Sequence, residues 1–111
     1  MCVVVVVISD SAPIIKNFNA KEVEEGAPKA VLRCNTDRQI PAESVTFYVN
    51  GIPVSKSHFS YRYRVVCQRL KVDSPVFPDD NVTVGCKVQN KYGFDFKNTT
   101  LSVFGELFRF D

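Results

Sequence analysis

Tryptophan is absent from the chain, and histidine and methionine occur once each. The single histidine, His58, gives no paired spacing for a metal and no evident base for a thiol or hydroxyl nucleophile. Neither a glycine-rich phosphate loop nor a GxSxG elbow occurs, so the sequence offers no catalytic centre and no cofactor is expected. No apolar run approaches the roughly 18 residues that cross a bilayer as a helix, and no recognised nucleic-acid module is present. Helical periodicity is scarce. What remains is a chain of one-domain length, 111 residues, with 23% charged and 45% hydrophobic residues, nine phenylalanines and four tyrosines. Plentiful β-branched and aromatic residues in an ordinary globular composition point to an all-β fold.

The clearest strand is centred on Cys86. Val82, Val84, Cys86 and Val88 alternate with Thr83, Gly85, Lys87 and Gln89, the period-2 pattern of a strand with one buried face. Asn90-Lys-Tyr-Gly93 supplies a hairpin turn, and Phe94 to Phe104 returns as the next strand. An inward Cys86 asks for a second inward cysteine, and Cys34 in Ala30-x-Leu32-x-Cys34 lies on its own alternating strand. Four cysteines allow three pairings; alternation selects Cys34–Cys86 and leaves Cys2 and Cys67. The competing reading is a pair of reduced cysteines packed as small hydrophobes. A disulfide points to the secretory route.

Over about eighty residues the chain resembles an immunoglobulin domain, most closely the intermediate (I-set) type. Glu25-Gly26 precedes Ala30-x-Leu32-x-Cys34, and Phe47 in Val45-x-Phe47-Tyr48 falls thirteen residues after Cys34. Leu70-x-Val72, Val76 and Asp80 precede Cys86-x-Val88-x-Asn90-x-x-Gly93, and Leu101-x-Val103 follows. The chain departs from the family pattern twice: Phe47 stands at the core tryptophan and Val84 at the corner tyrosine. The resemblance implies a two-sheet antiparallel Greek-key sandwich over residues 13–104, with a split first strand at Pro13–Phe18 and Lys21–Glu25. Residues 105–111 form a tail whose apolar side chains need cover. Residues 1–12 read as a signal-peptide remnant, from the apolar run Met1–Ile8 and the small residues after it, or as an N-terminal strand.

Several surface features suggest work. Asn81-Val-Thr83 and Asn98-Thr-Thr100 are glycosylation sequons whose asparagines fall on outward strand phases. Between Gly51 and Lys71 every charge is basic. Tyr61, Tyr63 and Val65 alternate with Arg62 and Arg64, which sets those two arginines together on one sheet face; Arg62, Arg64, Arg69 and Lys71 suggest a patch for an anionic partner such as a sulfated glycan. The alternative is a solvated edge protected by charge. Tyr48, Tyr92, Phe94 and Phe96 form a candidate protein-binding face, where related domains often make adhesive or receptor contacts. Cys67 could pair with Cys2 or with another chain, the alternative being a free half-buried thiol. Together these features favour an extracellular binding module, secreted or on the cell surface, that recognises a receptor or a second copy of itself. An intracellular structural domain like those of muscle filament proteins is the alternative.

Overall fold

Residues 11–37, 42–54 and 62–105 are described by the structure, a computed structural model. Two sheets face each other. The larger runs in the order β2 (Lys21–Glu24), β10 (Gly93–Phe104), β9 (Val82–Asn90), β5 (Ser44–Val49) and β6 (Ile52–Pro53). The smaller runs β3 (Lys29–Arg33), β8 (Arg69–Asp73) and β7 (Tyr63–Val66), while β1 (Ile15–Asn17) pairs with β4 (Asn35–Thr36), the continuation of β3 beyond Cys34. No helix occurs among the described residues.

Alternation determines which side chains enter the core. Val82, Val84, Cys86 and Val88 of β9 are buried, as are Ala30 and Leu32 of β3 and Leu70 and Val72 of β8. Cys34 and Cys86 are fully buried and bonded, joining the two sheets. Phe47 lies opposite Cys86 in the β5–β9 register and packs at 6.2 Å from the Phe18 ring. At 1% exposure it occupies the position where the resemblance places a tryptophan. Val84 is wholly core.

Two expectations of strand geometry change. The pairing of β2 with β10 is parallel, whereas the others are antiparallel. After β1 the chain crosses between sheets and continues in the same direction, which brings it alongside the last strand. The inward phase read for Tyr63 and Val65 holds at Tyr63, 8% exposed, and lapses at Val65, 43% exposed. Among the described residues β7 is the outer strand of its sheet, where the facing layer covers Tyr63 and leaves Val65 exposed. Tyr61, in the same reading, lies outside the described residues, as does most of the C-terminal tail and nearly all of residues 1–12.

Asn50 and Gly51 form the two-residue turn between β5 and β6, with φ of 51° and 83°. Positive φ at both centres is the conformation that matches the twist of hairpin strands. The Asn50 side chain also accepts a hydrogen bond from the Thr83 N–H at 3.0 Å. A Cβ at Gly51 meets nothing within 4 Å, so Gly51→Ala tests backbone conformation alone. The expected cost is about 1 kcal/mol, read as a lower urea midpoint with an unchanged m-value.

Candidate binding faces

The outer face of the five-stranded sheet gathers the aromatic residues. Register sets Thr46, Lys87 and Phe96 in one row and Tyr48, Gly85 and Asn98 in the next. Gly85 makes the cluster possible. A Cβ there would fall 2.8 Å from the Phe96 ring and 2.9 Å from Asn98 Oδ1, so its absence lets Phe96 lie across β9. Phe96 then meets Tyr48 edge-on, with centroids 5.7 Å apart, a favoured aromatic arrangement. Lys87 Nζ sits 4.7 Å from the Phe94 centroid, near enough for a cation–π contact. Phe94 is 60% exposed and Phe96 42%. Tyr92 stands at the β9–β10 turn with Lys91 Nζ 5.1 Å from its ring centroid. Tyr48, Phe94 and Phe96 therefore form an apolar surface bordered by lysine.

The two sequons have different surroundings. Asn98 projects from this aromatic face, beside the Phe96 ring and over Gly85. Asn81 is held by backbone: its Oδ1 accepts from Val103 N at 2.6 Å and its Nδ2 donates to Val103 O at 3.3 Å.

The basic residues divide. Arg62 is drawn away from the sheet face and hydrogen-bonded: it meets Asp80 at 2.8 Å and also donates to the carbonyls of Asp73 and Ser74. Asp80, 2% exposed, further accepts from the Tyr63 hydroxyl and from Val76 N. Burial alone would raise the Asp80 carboxyl; the hydrogen bonds from Arg62, Tyr63 and Val76 outweigh it and hold the pKa below its ordinary value. Burial, then the bond to Asp80, pushes the Tyr63 phenol well above its usual range. This cluster supplies a buried tyrosine hydroxyl bond near the corner, although Val84 occupies the family's tyrosine position.

Arg64, Arg69 and Lys71 remain on the outer face of the small sheet, and β3 adds Lys29 and Arg33 to it. The register sets Arg33 opposite Arg69, and Lys71 opposite Arg64. Arg64 also pairs with Asp73 at 3.1 Å, with both side chains well exposed. The sequence carried a signal for Lys29 and Arg33, since they flank inward Ala30 and Leu32. Nothing in it gave the register that brings them beside Arg69 and Lys71.

Cys67 opens the β7–β8 turn with φ of 56° and is disulfide-bonded. Cys2, the intramolecular partner anticipated from sequence, lies outside the described residues. Among the described residues no group of three or more His, Cys, Asp or Glu could hold a metal ion.

No protein-family model matches the chain, and no curated protein matches it. Solved structures do. The titin M3 domain superposes with a TM-score of 0.69 at 16% identity, covering 84% of this chain and 97% of that one. The Ig1-2 module of the Drosophila receptor protein tyrosine phosphatase DLAR gives 0.69 at 22% identity, with 86% and 50% covered. Sidekick-1 immunoglobulin domains 1–5 give 0.69 at 20% identity, with 86% and 20% covered. The chain thus spans about half the length of the DLAR module and a fifth of the Sidekick-1 array. The fold is that of an immunoglobulin domain, a two-layer β-sandwich similar to I-set domains. Receptor and muscle proteins both occur among these neighbours, so the fold comparison favours neither setting.

Proposed function

We propose that the chain is an extracellular recognition module that docks a protein partner through the aromatic face of its five-stranded sheet. The observation that carries the reading is the set of aromatic rings on one sheet face: Phe96 packed edge-on against Tyr48, and Phe94, 60% exposed, two residues along the same strand. Aromatic anchors on a rigid sheet suit protein contact, because they bury large area at low conformational cost. Three oxidised cysteines, the Cys34–Cys86 pair and Cys67, support an oxidising compartment. A glycan on Asn98 would stand on the same face, so occupancy of that sequon and protein docking compete.

The test uses the chain secreted from eukaryotic cells, as wild type, Asn98→Gln and Phe96→Ser. Secretion with no titratable thiol supports the extracellular reading. Retention in the cell, with a stable cytosolic product carrying four free thiols, overturns it in favour of an intracellular structural domain. For the face, Asn98→Gln is expected to self-associate or to stain a panel of cells as a tetramer, at least tenfold better than Asn98→Gln/Phe96→Ser. Equal behaviour of the two, both folded by circular dichroism, overturns docking through this face.

A further inference from the structure

We infer that the outer face of the three-stranded sheet is a binding site for a sulfated polysaccharide, held by Arg33, Arg69, Lys71, Arg64 and Lys29. The register places two like-charged pairs directly across from each other, Arg33 with Arg69 and Arg64 with Lys71. Directly opposed like charges destabilise a sheet. Only one carboxylate, Asp73, joins this group among the described residues: the register sets it opposite Lys29, and its carboxylate pairs with Arg64 in an exposed geometry. Among the described residues no second acid meets the repulsion between Arg33 and Arg69 or between Arg64 and Lys71, and an external anion lying between the rows would relieve it. Strands about 4.8 Å apart and alternate residues roughly 7 Å apart along each strand make a lattice of cations rather than a single pocket. A linear chain bearing an anion on each repeat can engage such a lattice at several points.

The neighbouring side chains select the class of polyanion. Val31 and Val66 are the apolar residues on this face, both partly buried, and no aromatic ring shares it among the described residues. A protein interface centres its arginines on a desolvated apolar or aromatic pocket, which this face lacks among the described residues, and single-stranded nucleic acid would want rings on which bases stack. A sheet face also presents no helix or ribbon to enter a DNA groove. Guanidinium forks suit sulfate oxygens bidentately, as they suit phosphate and carboxylate. The site lies on the opposite sheet from the aromatic cluster and is independent of docking there. It depends on the extracellular reading only for where the ligand is met, so a failure of secretion leaves the affinity measured in solution unaffected.

The experiment measures binding of a heparin-derived dodecasaccharide to the intact chain by calorimetry over a series of salt concentrations. Arg33→Glu places a carboxylate opposite Arg69, so its melting temperature is expected to hold or rise while affinity falls at least tenfold. Lys97→Glu makes the same charge change on β10 of the other sheet and is expected to lower affinity less than twofold. Equal losses in the two variants would mean that net charge alone attracts the polymer, and would overturn the site. Equal affinity for a DNA duplex of matched charge would overturn the polysaccharide assignment. No measurable binding at low salt by the wild type would overturn both.

Discussion

Replacing both Cys34 and Cys86 with alanine is expected to lower the stability of the domain by about 4 kcal/mol. The bond closes a loop of 52 residues, and the chain-entropy relation gives that magnitude for a loop of this length. Small domains have net stabilities of about 5–15 kcal/mol, so the change removes a large part of the total. The lost sulfur atoms also leave space beside Phe47, which sits opposite Cys86 in the register, and this adds to the loss. The double variant is preferable to reductant, because Cys67 is also disulfide-bonded and reductant would open both bonds. Urea unfolding should show a lower midpoint together with a larger m-value, since the unlinked denatured chain exposes more surface. A loss under about 1 kcal/mol would mean that residual structure in the denatured state already imposes the constraint.

Asp80→Ala is expected to cost about 3 kcal/mol. The carboxylate accepts from Arg62, Tyr63 and Val76 together, and removing it strands a guanidinium, a phenol and a backbone N–H at once. Breaking a buried ion pair by deleting one partner typically costs about 3–5 kcal/mol; Arg62 retains some access to water, which sets the estimate at the lower end. Tyr63→Phe removes one donor and should cost about 1.5 kcal/mol. The pH dependence has a definite sign. A carboxyl whose folded pKa is depressed adds stability above its unfolded value, and loses that contribution as pH falls through the folded pKa. The wild type should therefore weaken below about pH 4, and Asp80→Asn should show a shallower acid limb in thermal melts between pH 5 and pH 2. Parallel acid limbs would remove Asp80 from that role.

Local pattern made much of this architecture legible. Strict alternation at Val82–Val88 and at Ala30–Cys34 identified two core strands and aimed their cysteines at each other. Asn50-Gly51 named its turn because few residue pairs tolerate positive φ twice. The rest depended on which strand lies next to which. Arg62 looked like a neighbour of Arg64 on a sheet face, yet its guanidinium reaches Asp80, eighteen residues on and beyond a chain reversal. Arg33 joined the basic face only because β3 lies beside β8 in the particular register that opposes it to Arg69. Val65 alternated correctly and is still exposed, since inward phase buries a side chain only where another layer lies above it. The outward direction of Phe94 and Phe96 was readable, but the room for Phe96 to lie down came from Gly85, a residue between Thr83 and Lys87 on the outward phase whose cross-strand neighbours the sequence does not name.

The parallel pairing of β2 with β10 has a mechanical consequence. Four residue pairs, from Leu101 with Lys21 to Phe104 with Glu24, join a strand near the start of the sandwich to its last strand. Tension drawn backward from Lys21 and forward from Phe104 slides these strands along their length. Every hydrogen bond of that ladder then bears load together, in shear, and none can be opened alone as in a zipper. Rupture of the ladder requires the whole set to yield in one event, so the seam resists stretching more strongly than its short length suggests.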